Sequence, residues 1–224
     1  MHGLTAAQAA VYDRQLRVWG VDTQRRLTAA KILIAGLQGV AAEVAKNIVL
    51  AGVGQLTLLD ESCCAQAAPG NFLVPAAAPR KSRVAQQSSE TLQHMNPLVT
   101  VSARSGSPEA ETDLSFIKGY QVLLLAGANL QTMLRYDQAC TAYGVAFYTV
   151  ISRGSNSYFF ANLHEHAYTL TKAPQSEGGP QVTEAKTVTF PSLEQALFRS
   201  WKGLKLRRTN SLFFTVQGCM LFEQ

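Results

Sequence analysis

The sequence predicts an α/β fold, a doubly wound and mainly parallel Rossmann-like sheet with a helical segment ahead of it. Three observations carry that prediction. Five short runs rich in Val, Ile and Leu recur through the first two-thirds of the chain: KILIAG at 31–36, QLTLLD at 55–60, LVTVSAR at 98–104, QVLLLAG at 121–127 and VAFYTVIS at 145–152. Most are near-continuously apolar, the pattern of strands covered on both faces. Successive runs lie roughly 20 to 45 residues apart, room for a helix in each right-handed crossover. Finally, the first run ends in a glycine turn that opens a helical stretch, KILIAGLQGVAAEVAKN at 31–47.

Taken in order, the chain divides as follows. Residues 1–30 form the N-terminal helical segment, with a helix expected over about 5–29 that carries Leu16, Trp19, Val21 and Leu27 among polar residues and is open to a break at Gly20. Residues 31–171 form the Rossmann-like domain, in which SYFFANL at 157–163 reads as a further strand after the five runs. Residues 172–186, KAPQSEGGPQVTEAK, are rich in Pro, Gly, Ser and Gln and read as a flexible loop or linker. Residues 187–224 resume apolar structure and read as a helical segment. The chain stops directly after an apolar helical run, so the expectation is a C-terminal truncation, with this segment the start of an incomplete part.

The composition, 47% hydrophobic and 16% charged, is that of an ordinary globular domain. No apolar run approaches the roughly 20 residues of a membrane span, and MHGLTAAQAAVYDRQ has no basic region followed by an apolar core. An intracellular protein without a membrane role is therefore expected. Four cysteines, Cys63, Cys64, Cys140 and Cys219, form no C-x-x-C pair, so reduced structural thiols are expected and a zinc site is not. His164 and His166 flank Glu165 but lack a third ligand, which argues for structural or surface roles and no metal. The net charge of +5 equals the contribution of one segment, RSWKGLKLRR at 199–208, which holds Arg199, Lys202, Lys205, Arg207 and Arg208 and no acid. Such a run is a solvated face, an acidic-partner or nucleic-acid contact, or a localisation signal. Apart from Trp201 no aromatic residue is interleaved, so nucleic acid is not expected.

The glycine turn raises the functional question. A dinucleotide loop reads G-x-G-x-x-G: one glycine makes the turn, another admits the phosphates, and the last lets helix and strand pack closely. Here the stretch is Gly36, Leu37, Gln38, Gly39, Val40, Ala41. Gln38 puts a side chain where close approach is needed. Asp60, 24 positions after Gly36 at the end of the second run, stands where a ribose-binding carboxylate belongs. A live nucleotide site, a vestigial one and a purely structural turn all remain open on these residues. An NAD- or FAD-binding oxidoreductase is the alternative from a different class.

Residues 12–20, YDRQLRVWG, followed by QRRL at 24–27, the glycine turn and LAGVGQLTLLD at 50–60, resemble one superfamily. It comprises the adenylating enzymes that activate ubiquitin, its relatives and the bacterial sulfur carriers. PGNFLV at 69–74, NPLVTV at 96–101, FFANLHEH at 159–166 and LKLRRTNSLFF at 204–214 are similar to segments of the regulatory, non-cysteine subunits of SUMO-activating heterodimers. That resemblance implies a pseudo-adenylation domain that pairs with a catalytic cysteine-bearing subunit. The partner binds Mg·ATP, adenylates the C-terminal glycine of SUMO and takes it as a thioester for the conjugating enzyme. It implies a degenerate nucleotide site in this chain, at Gly36, Gly39 and Asp60, with no tightly bound cofactor of its own.

Active relatives carry a fuller glycine loop, an Arg-Gln pair where this chain has PGNFLV, a lysine where Arg83 stands (Lys81 is close by), and an aspartate where Ala128 stands. The resemblance assigns one chemical role, to Arg14, which would reach in trans into the partner's ATP site. The competing reading is an Arg14 that only salt-bridges Asp13 or caps its helix. The resemblance also implies a nuclear protein, present in the cytoplasm too. A subunit for another ubiquitin-like modifier and a homodimeric adenylating enzyme for a sulfur carrier stay open beside it.

Overall fold

The computed structural model describes residues 4–172 and 182–222. Two helices come first, α1 (Ala6–Val11) and α2 (Asp13–Ala29). A capping box starts α1: Thr5 Oγ1 accepts from the Gln8 N–H, and the Gln8 side chain returns to the Thr5 N–H. The single helix expected over about 5–29 is thus divided at Tyr12, and Gly20 breaks α2 internally with a φ of 81°.

The sheet follows: β1 (Lys31–Ala35), α3 (Gly39–Ala51), β2 (Gln55–Leu59), α4 (Val84–Met95), β3 (Thr100–Arg104), β4 (Val122–Ala126), α5 (Leu130–Tyr143), β5 (Ala146–Arg153) and β6 (Asn156–Asn162). Strand order is β3-β2-β1-β4-β5-β6, parallel throughout except for the antiparallel β5–β6 pair. This is the doubly wound architecture expected. Alternate residues of the central strands enter opposite cores. Leu33, Ala35, Leu123 and Leu125 pack with α5, whereas Ile34, Leu124 and Ala126 pack with α3 and α4. Burial on both faces is why these strands read as continuous apolar runs. Among the described residues no helix is long and apolar enough to cross a membrane.

The later part departs from expectation. Strands β7 (Glu165–Lys172) and β8 (Val182–Thr189) form a separate antiparallel ribbon, with Tyr168 opposite Lys186 and His166 opposite Val188. The reading of 172–186 as loop or linker is therefore corrected: Lys172 ends β7 and 182–186 belong to β8, while 173–181 lie outside the described residues. The segment from 187 likewise begins as strand. It then forms α6 (Leu193–Leu197) and α7 (Ser211–Phe222), joined by an irregular stretch with one 3-10 turn at Leu206–Arg208. Cross-strand pairing overrides local composition here: alternate residue pairs of the ribbon exchange backbone hydrogen bonds across it.

FANLHEH is a structural junction. Asn162 is buried; its side-chain Nδ2 donates to Asp137 Oδ1 at 2.8 Å, and its Oδ1 accepts from the His164 N–H at 3.0 Å. The other Asp137 oxygen accepts from the Leu193 N–H at 2.8 Å, tying α6 to α5. His164 takes a left-handed backbone, φ 57°, with its ring nitrogen 2.8 Å from the Val145 carbonyl. Among the described residues no cluster of metal-ligating side chains is found.

Candidate functional site

In a 3-2-1-4-5-6 sheet, β1 and β4 are neighbours whose following connections diverge, leaving a crevice beyond their carboxyl ends. A cleft of about 550 Å³ lies there, lined by Gly36, Gln38, Asp60, Arg83, Glu109 and Gly127 among others. The glycine turn builds one wall. Gly36 has a φ of 81° and donates to the Leu59 carbonyl at 2.9 Å. A Cβ on it would stand 2.3 Å from the Ala126 carbonyl oxygen, so the turn needs glycine to lie against β4. Gly39 opens α3 with its Cα against the Gly70 backbone, where a Cβ would stand 3.0 Å away. Both glycines are thus used in packing chain against chain.

The side chains around the turn are also committed. The Asp60 carboxylate accepts from the Leu37 N–H and the Ser62 N–H, each at 2.8 Å, and from the Ser62 hydroxyl. Buried Asn71 donates to the Leu37 carbonyl at 3.0 Å and accepts from the Leu73 N–H. Gln38 is the N-cap residue of α3 but makes no capping hydrogen bond. Its amide lies over Gly127 instead, so close that a Cβ there would meet Gln38 Nε2 at 1.9 Å. This one side chain crosses the crevice from the β1 turn to the β4 turn. Arg83, at the start of α4, donates to the Glu61 carbonyl. Among the described residues it is the only cation in a lining that includes Asp60, Glu61 and Glu109. The loop bearing Glu109 is held by Arg135, which donates to the Pro108 and Glu109 carbonyls. Ala128 faces away, buried in the core beside α5. The structure thus brings Gly36, Gly39 and Asp60 together.

Arg14 lies elsewhere. Its block packs on the C-terminal end of α3, where the last carbonyls of a helix lack intrahelical partners. Gln15 donates to the Leu50 carbonyl at 3.2 Å, Gln24 to that of Ala51 at 2.9 Å, and Asn96 to that of Val49 at 2.8 Å. Buried Tyr12 sits against Gly52, its hydroxyl accepting from Asn96 at 2.9 Å, and Trp19 donates to Gln24. These contacts account for Tyr12, Gln15 and Trp19, but not for Arg14.

Arg14 is exposed and has no ion-pair or hydrogen-bond partner among the described residues. Asp13 pairs with Arg17 at 2.8 Å, so the structure does not form the Asp13–Arg14 bridge. Val11, Val18 and Leu50 are exposed nearby. The 13 residues of α3 separate this surface from the cleft at the other end of the helix, roughly 20 Å at 1.5 Å per residue. Sequence reasoning missed the roles of Gln38 toward Gly127 and of Glu109 in the cleft, since both depend on approaches between distant segments.

The ThiF family pattern matches residues 12–203. SUMO-activating enzyme subunit 1A of Arabidopsis thaliana is 37% identical over 231 residues, covering 99% of this chain and 67% of the relative. SUMO-activating enzyme subunit 1 of Homo sapiens is 34% identical over 243 residues, covering 99% and 70%. Two solved structures share the fold: E. coli MccB (TM-score 0.56, 14% identity, 67% of this chain and 44% of that one) and PaaA (TM-score 0.53, 16% identity, 67% and 52%). The oxidoreductase alternative falls away, and the chain belongs to the ThiF family, alongside proteins named SUMO-activating enzyme subunit 1.

Proposed function

We propose that this chain is the regulatory subunit of a SUMO-activating enzyme. It pairs with a cysteine-bearing catalytic subunit, which binds Mg·ATP, and it supplies Arg14 in trans to that partner's ATP site. The names of its relatives support the subunit assignment. The observation that carries the role of Arg14 is its disposition: exposed, without a partner among the described residues, and roughly 20 Å of helix away from the cleft of its own chain. A guanidinium so placed cannot serve its own crevice. It is free to meet a phosphate across an interface, where its fixed charge and paired donors stabilise charge that builds up during adenylation.

On this reading the chain's own nucleotide site is degenerate, and the residues present do not fit ATP. Gln38 lies across the crevice, Asp60 is occupied by backbone and hydroxyl donors, and one arginine faces three carboxylates where a polyanion would need net positive charge. No step is assigned to this cleft. The expected location, nucleus with some cytoplasm, forms part of the same proposal and is checked by imaging the tagged chain.

The test is SUMO-dependent ATP–pyrophosphate exchange by this chain together with its catalytic partner, wild type against Arg14→Ala, with complex formation verified by gel filtration. A fall of about ten-fold or more, or about 1.4 kcal/mol of transition-state stabilisation, is expected. Unchanged exchange in an intact complex would leave the chain a scaffold. Exchange by the chain alone would overturn the reading of its own site.

A further inference from the structure

The charge excess of this protein sits in one place. Arg199, Lys202, Lys205, Arg207 and Arg208 are all exposed, and among the described residues none has an ion-pair partner. No acid interrupts residues 199–208, and the rest of the chain balances at 15 cations against 15 acids, 20 less these five. Like charges held this close repel one another, so the arrangement costs folding energy unless something of opposite sign is met.

Nor is the segment a loose tail. It connects α6 to α7 and is pinned at several points. The Trp201 indole N–H donates to Gln217, and the Gln217 amide donates to the Leu197 carbonyl. Backbone bonds run from Leu204 to Trp201 and from Arg208 to Lys205. Phe198 and Trp201 are partly exposed beside the cations.

We propose that residues 198–208 form a docking surface for an acidic polypeptide segment, whose carboxylates pair with these cations while an apolar residue rests beside Trp201. The scarcity of aromatic residues favours this over nucleic acid. Trp201, with Phe214 edge-on at 5.0 Å, is the one aromatic residue within 199–208, whereas single strands are held by successive aromatic faces interleaved with the cations. Arginine and lysine on an ordered loop offer carboxylates directional and screened attraction, so binding should weaken as salt rises.

The experiment uses the complete chain and a fluorescein-labelled, Glu-rich peptide carrying one leucine, followed by anisotropy across roughly 50–200 mM salt. Wild type should bind with an affinity that falls as salt rises. Lys202→Glu/Lys205→Glu/Arg207→Glu should bind at least about ten-fold more weakly, with an unchanged circular dichroism spectrum. The corresponding Gln variants should lie between, which keeps the test sound if the reversed chain folds poorly. Arg80→Glu/Lys118→Glu, placed elsewhere, should bind as wild type does. The proposal is overturned by no binding to wild type, by equal binding to wild type and the Gln variants, or by tighter binding of a single-stranded oligonucleotide than of the peptide.

Discussion

Gly52 and Gly144 make a matched pair of perturbations. Each ends a helix in the left-handed region, with φ of 84° and 67°, and each donates to carbonyls of the helix it caps. Alanine at either position incurs about 1–2 kcal/mol for the left-handed backbone. The positions differ only in what a new methyl group meets. At Gly144 nothing lies within 4 Å, whereas at Gly52 the Cβ would stand 2.3 Å from Cζ of Tyr12, whose ring is 1% exposed. Forcing a ring from a closed site adds about 1–3 kcal/mol. Gly144→Ala should therefore cost about 1–2 kcal/mol, and Gly52→Ala about 2–5 kcal/mol. With a urea m-value of about 2 kcal/mol/M, the midpoint should fall by about 0.5–1 M and 1–2.5 M respectively. The assay is equilibrium urea unfolding with m held constant across the variants. Because Tyr12 anchors the block that presents Arg14, Gly52→Ala should also lower exchange in the assembled enzyme, and Gly144→Ala should not. Equal midpoints for the two variants would refute the seating of Tyr12 on Gly52 and the positioning argument built on it.

Other consequences are as direct. Asp137→Ala orphans the Leu193 N–H and leaves the Asn162 amide only its longer bond to Thr141 Oγ1 at 3.4 Å; it should cost about 2–4 kcal/mol and lower Tm by roughly 5–15 °C, with exchange of the Leu193 amide proton rising first. Gly39→Val presses a side chain against the Gly70 backbone and should destabilise by about 1–3 kcal/mol, although no ligand is displaced; an unchanged melt would refute the packing role. Burial pushes the Cys140 thiol from an ordinary 9.0 up to about 12, with Asp137 adding to the effect, and pushes Tyr158 from 10.0 up to about 12. These groups ionise first in the unfolded chain, so stability should hold below pH 9 and decline from pH 9 to 12. Cys140→Ala should delay that decline toward pH 10, and a denaturation midpoint flat across the range would refute it. In native protein Cys140 should also resist iodoacetamide while exposed Cys219 reacts.

The strands β1 to β6 were legible because each carries its own signal, an apolar run of strand length bounded by turn residues. Gly36 and Asp60 were legible as one site because a strand–turn–helix unit and the next strand end converge by local geometry. The ribbon β7–β8 was not read, although His166, Tyr168 and Leu170 alternate in HAYTL, because the composition of 172–186 outweighed that short signal. The helix expected over 5–29 carried its own break at Gly20 but gave no sign of the second one at Tyr12.

By itself, then, the sequence determined the doubly wound sheet, the incomplete glycine turn, the segregation of charge into 199–208 and the family resemblance. All of these lie in patterns that neighbouring residues create. Only the tertiary structure decided that Gln38 lies over Gly127, that Gly39 is spent on Gly70, that Asp13 pairs with Arg17 rather than Arg14, and that α3 sets Arg14 apart from the cleft. Except for the choice Asp13 makes between two nearby arginines, these depend on approaches between segments far apart in the chain. Such approaches are fixed when helices and strands pack to a common core, and no local pattern records them.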